Sequence, residues 1–238
     1  MPLALIAFAL VSLVHLASLV VASESVVGDV TQIMLMPLLA AVLLTSAPRP
    51  YGRVVRLAAW ALGFSWLGDT LPRFARDQPL PELFAIEGFG LMVGGFALAQ
   101  ATYVAAFWPY RSRSALRSRT AVVIAAVTLA GLIAVIAPNA GWVTLPVAAY
   151  AVLLVGMALL APGLGRAGAW GGALFVFSDA LIGLRAFSGW EALDFALGGF
   201  VVMVTYIAGQ SLLTRAVLQR DAADRAPDRV LSGERVTT

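Results

Sequence analysis

The chain has 238 residues, 61% of them apolar and 12% charged, against about 45–50% and about 25% in an average soluble domain. That balance excludes a soluble globular domain and implies a polytopic membrane protein. There is no cysteine, which excludes disulfides and thiolate metal sites; all 16 basic residues are Arg, and against 13 acids they leave a net charge of +3. The basic excess points at anionic lipid headgroups and not at nucleic acid. The Arg-only usage, with abundant Ala, Val and Gly, suits a GC-rich bacterial genome.

A spanning helix needs about 20 predominantly apolar residues, and eight runs qualify, at 3–22, 30–46, 54–74, 82–107, 119–137, 142–161, 169–186 and 191–215. The first carries His15, the sole histidine, read as a packing residue. This run lacks the basic start of a signal peptide and is taken as a helix. The second carries Thr31, Gln32 and Leu35-Met36-Pro37-Leu38. The third holds Asp69 inside an apolar stretch, with Ser65 four residues before it and Gly68 expected to open space beside the carboxylate. On the fourth, Phe96, Gln100, Tyr103 and Phe107 form one stripe, with Glu87 near its outer end. Pro138 to Gly141 separates the fifth run from the sixth, and neither carries a candidate site residue. The seventh places Ser178 beside Asp179, with Gly172 and Phe175 on the Asp face; the eighth places Tyr206 and Gln210 four apart. Gly94-Gly95, Gly171-Gly172 and Gly198-Gly199 read as close helix packing. Residues 1–215 are thus expected to form an all-α, eight-helix transmembrane domain. Residues 216–238 alternate Arg with acids and read as a charged cytoplasmic tail, a frayed helical extension followed by disorder.

Arginine placement gives the orientation. With both termini on one side, that side holds Arg49, Arg53, Arg56, Arg111, Arg113, Arg117, Arg119, Arg166, Arg215, Arg220, Arg225, Arg229 and Arg235, while Arg73, Arg76 and Arg185 fall opposite. The positive-inside rule then puts both termini in the cytoplasm of a bacterial cell membrane. Each Asp-bearing helix is followed by one with Gly-Phe and then Thr-Tyr (Gly95-Phe96 with Thr102-Tyr103, Gly199-Phe200 with Thr205-Tyr206), so the chain reads as a possible tandem repeat of four-helix halves.

A carboxylate at membrane depth costs about 2.5–3.5 kcal/mol even on the gentlest insertion scale, so Asp69 and Asp179 are the candidate catalytic pair. Ser65, Gln100, Tyr103, Ser178, Tyr206 and Gln210 are expected to orient substrate or water around them, with Gln32 and Glu87 as further candidates. A protonated carboxylic acid beside a second carboxylate suits hydrolysis of an amphiphile. Two other readings stay open: a proton-coupled transporter or amphiphile binder using the same pair, and a bundle in which each Asp only bonds a neighbouring helix. One His and no Cys leave no zinc site, a carboxylate-only metal site being merely conceivable, and no metal is expected.

The motifs carry a resemblance. Phe64-Ser65-Trp66-Leu67-Gly68-Asp69, Phe175 with Ser178-Asp179 and then Leu184 and Phe187, Thr205-Tyr206 with Gln210, and Thr31 with Leu35-Met36-Pro37-Leu38 run through nearly all eight helices. Together they resemble the lysoplasmalogenase family, the YhhN-like integral membrane proteins. The resemblance implies hydrolysis of the vinyl-ether bond of lysoplasmenyl-ethanolamine or -choline to a fatty aldehyde and a glycerophospho-alcohol. It implies Asp69 and Asp179 as the active-site acids, a lysophospholipid substrate in the bilayer, and no cofactor. Two positions depart from the family: Gln100 stands where a His is usual and Gln32 where a Lys is usual, so both ionisable partners are neutral amides here.

Overall fold

The computed structural model describes residues 2–21, 25–75, 88–193 and 197–231, and within them it is helical with no strand. Eight α-helices follow one another among these residues: α1 (Pro2–Val21), α2 (Val26–Ser46), α3 (Arg53–Ala75), α4 (Gly88–Phe107), α5 (Arg119–Ala140), α6 (Thr144–Leu160), α7 (Arg166–Phe187) and α8 (Gly198–Leu231). Local chemistry sets several boundaries. The Ser25 hydroxyl accepts from Gly28 N at 3.1 Å and caps α2, starting it four residues before the apolar run. Ser118 caps α5 in the same way through Ala121 N at 3.2 Å. Gly141 (φ 55°) and Gly165 (φ 111°) sit where α5 ends and α7 begins, conformations a residue with a Cβ rarely adopts. The start expected for the fourth run, at 82–87, lies outside the described residues.

Among the described residues, six continuous stretches are long and apolar enough to cross a membrane, and one of them, Arg119–Leu164, contains both α5 and α6. Seven of the eight helices therefore lie in such stretches. The exception is α3, the helix that carries Asp69 and Arg73. Its polar groups are turned inward: Ser65 is fully buried and Asp69 is 7% exposed. Large apolar side chains such as Trp60, Ile124, Val127 and Leu145 instead face outward. An exposed apolar surface of that extent fits a molecule whose lateral solvent is hydrocarbon.

The core runs between α2, α3, α4, α7 and α8, filled by Leu35, Leu62, Phe107, Phe175 and Leu213. Helices α3 with α4, and α7 with α8, make the broadest contacts, whereas α5 and α6 flank the bundle. Glycine brings both pairs together. A Cβ on Gly95 would fall 2.6 Å from Gly68 Cα, and one on Gly171 would fall 3.0 Å from the Gly209 carbonyl. Gly172 likewise packs on Ala158. Gly94 and Gly199 do not share this role, since nothing lies within 4 Å of a Cβ built on either, and Gly198 faces the Arg185 side chain instead of a helix backbone. Nor does Gly68 leave space beside Asp69, because the Phe96 ring and the α4 backbone fill it.

The last helix does not stop at Arg215. It continues to Leu231, and the proposed tail is part of the bundle at its start, with Ala216 and Val217 fully buried. Beyond them Asp221 pairs with Arg225 at 2.8 Å, Arg225 donates to Pro50 O at 2.6 Å, and Tyr110 donates to Asp224 at 2.6 Å. The alternating charges that read as a solvated tail are partly spent on docking α8 against two neighbouring loops. Residues 232–238 lie outside the described residues.

Candidate active site

Helices α3 and α7 each lower one acid into the same cavity, a space of about 510 Å³. Asp69 and Asp179 both line it, with Gln32 from α2, Phe96 from α4, and Tyr206 from α8. Arg185 lines it six residues after Asp179, about 9 Å further along α7 at 1.5 Å per residue. The two acids differ in their hydrogen bonds. Asp69 accepts twice, from the Tyr206 hydroxyl at 2.9 Å on Oδ2 and from Gln32 Nε2 at 3.2 Å on Oδ1. Asp179 accepts from Tyr150 on Oδ2 and is only half-buried.

The donors on Asp69 are themselves held. Arg73 donates to the Gln32 carbonyl and pairs with Asp29. A carboxamide has one acceptor end and one donor end, so occupying the carbonyl turns the NH₂ of Gln32 toward Asp69. The Tyr206 ring is fixed by edge-on contacts to Phe96 and Phe175, with centroids 5.8 and 5.5 Å away, an arrangement that aromatic quadrupoles favour.

The remaining expected residues are placed differently. Tyr103 donates to Gln210 Oε1 at 2.8 Å, and Gln210 Nε2 donates to Ser65 at 3.1 Å. This chain lies one helical turn from the acids (Ser65 before Asp69, Gln210 after Tyr206) and does not line the cavity. It ties α3, α4 and α8 together. Ser178 lines the cavity, but its hydroxyl donates to Val202 O at 3.0 Å. Gln100 is fully buried and lies beside Tyr150. Glu87 lies outside them. His15 meets Thr31 at 3.0 Å and joins α1 to α2, away from the cavity.

Sequence reading missed Tyr150. The signal was available: on α6 it is the single hydrogen-bonding group besides Thr144, and a phenol on an apolar helix needs a partner. Arg73 and Arg185 were read for topology alone, although Arg185 lines the cavity and Arg73 holds Gln32, which does. Among the described residues, no three His, Asp or Glu side chains gather where a metal ion would be held.

The profile described as the YhhN family matches residues 27–217. A rat protein named lysoplasmalogenase TMEM86B is 32% identical over 186 residues, covering 77% of this chain and 70% of its own length. No solved structure matches the chain.

Proposed function

The chain belongs to the YhhN family, and from that premise we propose that it hydrolyses the vinyl-ether bond of a lysoplasmalogen inside the membrane with Asp69 and Asp179. The observation that carries the proposal is the shared cavity: two acids from different helices, with unlike hydrogen-bond surroundings, face one space large enough for the polar half of an amphiphile.

Asp179 is the proton donor and Asp69 the carboxylate. Both Asp69 oxygens accept hydrogen bonds, the pattern that suits an ionised group. Asp179 accepts on one oxygen only among the described residues, leaving the other for a proton. Asp179 protonates the outer vinyl carbon, and the double-bond electrons form the new C–H bond while the ether oxygen shares the positive charge. Asp69 stabilises that oxocarbenium ion, which is where preorganised charge acts most strongly. Water adds to the cationic carbon and gives its proton to Asp69. The hemiacetal then collapses: Asp179 takes the hydroxyl proton, Asp69 returns its proton to the departing glycerol oxygen, and both acids are restored. The products are a fatty aldehyde and a glycerophospho-alcohol, with one water consumed. Tyr206 and Tyr150 hold the acids in place.

All eight helices cross the bilayer in this reading, both termini cytoplasmic, with Arg73 and Arg185 at the outer end and the other arginines of the described residues at the inner one. The Gly68–Gly95 and Gly171–Gly209 contacts, each joining an Asp helix to its successor, support descent from a duplicated four-helix half.

Membranes holding the protein are expected to release aldehyde from lysoplasmenyl-ethanolamine, measured by coupled oxidation with an aldehyde dehydrogenase. Well-inserted protein that releases none, while driving flux along a proton gradient, would establish the transporter reading instead. Arg73 supplies a second check. Arg73→Gln frees the Gln32 carbonyl, and Asp69 loses an oriented donor. Hydrogen bonds to charged groups contribute about 1.5–3 kcal/mol, so turnover should drop at least about tenfold. Asp29→Asn, on a side chain 45% exposed, should change it far less. Equal effects from the two would remove the relay from Arg73 to Asp69.

A further inference from the structure

Asp179 faces more than one space. On one side is the polar cavity it shares with Asp69. On another is a narrow slot between α5, α6 and α7, whose walls include Leu129, Ile136, Ala151, Leu154, Val176 and Ala180. A small space lined by Met92, Phe96, Tyr150, Asp179 and Gly183 lies between the two, sharing Phe96 and Asp179 with the cavity and Tyr150 and Gly183 with the slot. We propose that this slot holds the hydrocarbon chain of the substrate amphiphile, with its polar end in the cavity and the bond to be broken at Asp179 between them. This rests on the hydrolase reading and adds to it where the chain lies and which residues select its length.

The chemistry of the walls supports the assignment. Apart from Thr144, Tyr150 and Asp179 the slot is lined by apolar side chains and Gly183. It runs from Thr144 to Val155 along α6, about 16 Å at 1.5 Å per residue and close to half the roughly 30 Å hydrocarbon thickness of a bilayer. A second apolar space, between α4 and α6, reaches Tyr150 and holds about 330 Å³ against about 60 Å³ in the slot, but Asp179 does not line it. A chain placed there would hold its ether carbon away from the acid. The slot also borders the flanking pair: Ile124 and Val127 on α5 and Val152 on α6 face outward, so a lipid reaches this side from the bilayer without crossing the core between α3, α4, α7 and α8. Gly183 keeps the junction narrow yet open, because a Cβ there would come within 3.0 Å of Ile136 Cδ1.

The full-length protein in nanodiscs is labelled with a non-hydrolysable alkyl-ether lysophospholipid bearing a diazirine at its chain end. Labelling on α5 and α6 near Leu129 and Leu154, suppressed by excess unlabelled alkyl-ether lysophospholipid, is the expected result. Labelling spread over the outward faces, or not suppressed, would overturn the slot. Ala151→Phe and Ala180→Phe supply an independent arm. Each shortens the slot and should lower the ratio of kcat/KM for long-chain over short-chain vinyl-ether substrates about tenfold. An unchanged ratio in variants that still release aldehyde would sink the slot and leave the hydrolase standing. Suppressible slot labelling in a parent that releases no aldehyde would keep the slot and remove the hydrolase.

Discussion

Asp179→Asn is expected to reduce aldehyde release to background while the protein inserts and melts as the parent does. The amide occupies the same volume and still offers an oxygen to the Tyr150 hydroxyl, so the contact between α6 and α7 survives. What it lacks is an acidic proton to give to carbon. A positioned general acid or base contributes about 10²–10⁴-fold, and with no other protonatable acid on that wall of the slot the loss should reach the upper end. Asp69→Asn is expected to be as inactive for a different reason and to carry a structural penalty as well. Its NH₂ would face either the Gln32 NH₂ or the Tyr206 hydroxyl, both donors in the parent. Gln32 cannot simply turn round, because Arg73 holds its carbonyl. A buried donor left unsatisfied costs about 1–3 kcal/mol, so Asp69→Asn should also melt lower. Aldehyde assays and thermal melts in detergent read both effects. Substantial turnover in either variant would refute the paired-acid mechanism. Full turnover in both would mean that the acids serve only to join helices.

Gly95→Leu is expected to disrupt the bundle, whereas Gly94→Leu, one residue earlier, should be tolerated. The contrast is built into α4. A Cβ at position 95 would overlap the Gly68 backbone, and backbone cannot rotate away as a side-chain tip can. Overpacking in a filled core costs about 1–3 kcal/mol, and an entire Leu against a helix backbone belongs at or above that range. The displacement would also move Phe96, which follows Gly95 directly and packs on Tyr206, so activity should fall with stability. Position 94 meets nothing within 4 Å, and removing a helical Gly recovers up to about 1 kcal/mol of propensity. Thermal melts of the two variants decide the matter. Equal destabilisation would show that α3 and α4 are not held at this crossing.

Much of this site could be read along the chain. Asp69 and Asp179 are conspicuous because a charge is rare in an apolar run, and that is a property of each helix alone. The spacing of Tyr206 and Gln210, and the stripe from Phe96 to Phe107, follow from helical periodicity in the same way. The expected partners were less legible. Ser65, Tyr103 and Gln210 meet one another one turn from the acids, and Gln100 lies near Tyr150 away from the cavity lining. Meanwhile Tyr150, on a helix that offered no candidate, holds Asp179. Helices surrounded by lipid are apolar on most sides, so their patterns do not say which face meets which neighbour. The tail misled in the opposite direction, since its charges resemble those of a solvated segment until Pro50 and Tyr110 are seen to receive them.

By itself, then, the sequence determined the membrane class, the helical runs, the two acids and the family resemblance, all of which depend on composition and on spacing within single segments. Only the tertiary structure decided that the acids share a cavity, that Gln32 is turned toward Asp69 by Arg73, and that Asp179 stands where a polar space meets an apolar one. Those facts depend on the rotation and separation of neighbouring helices. Here both are set by glycine contacts and aromatic packing between segments that lie far apart in the chain.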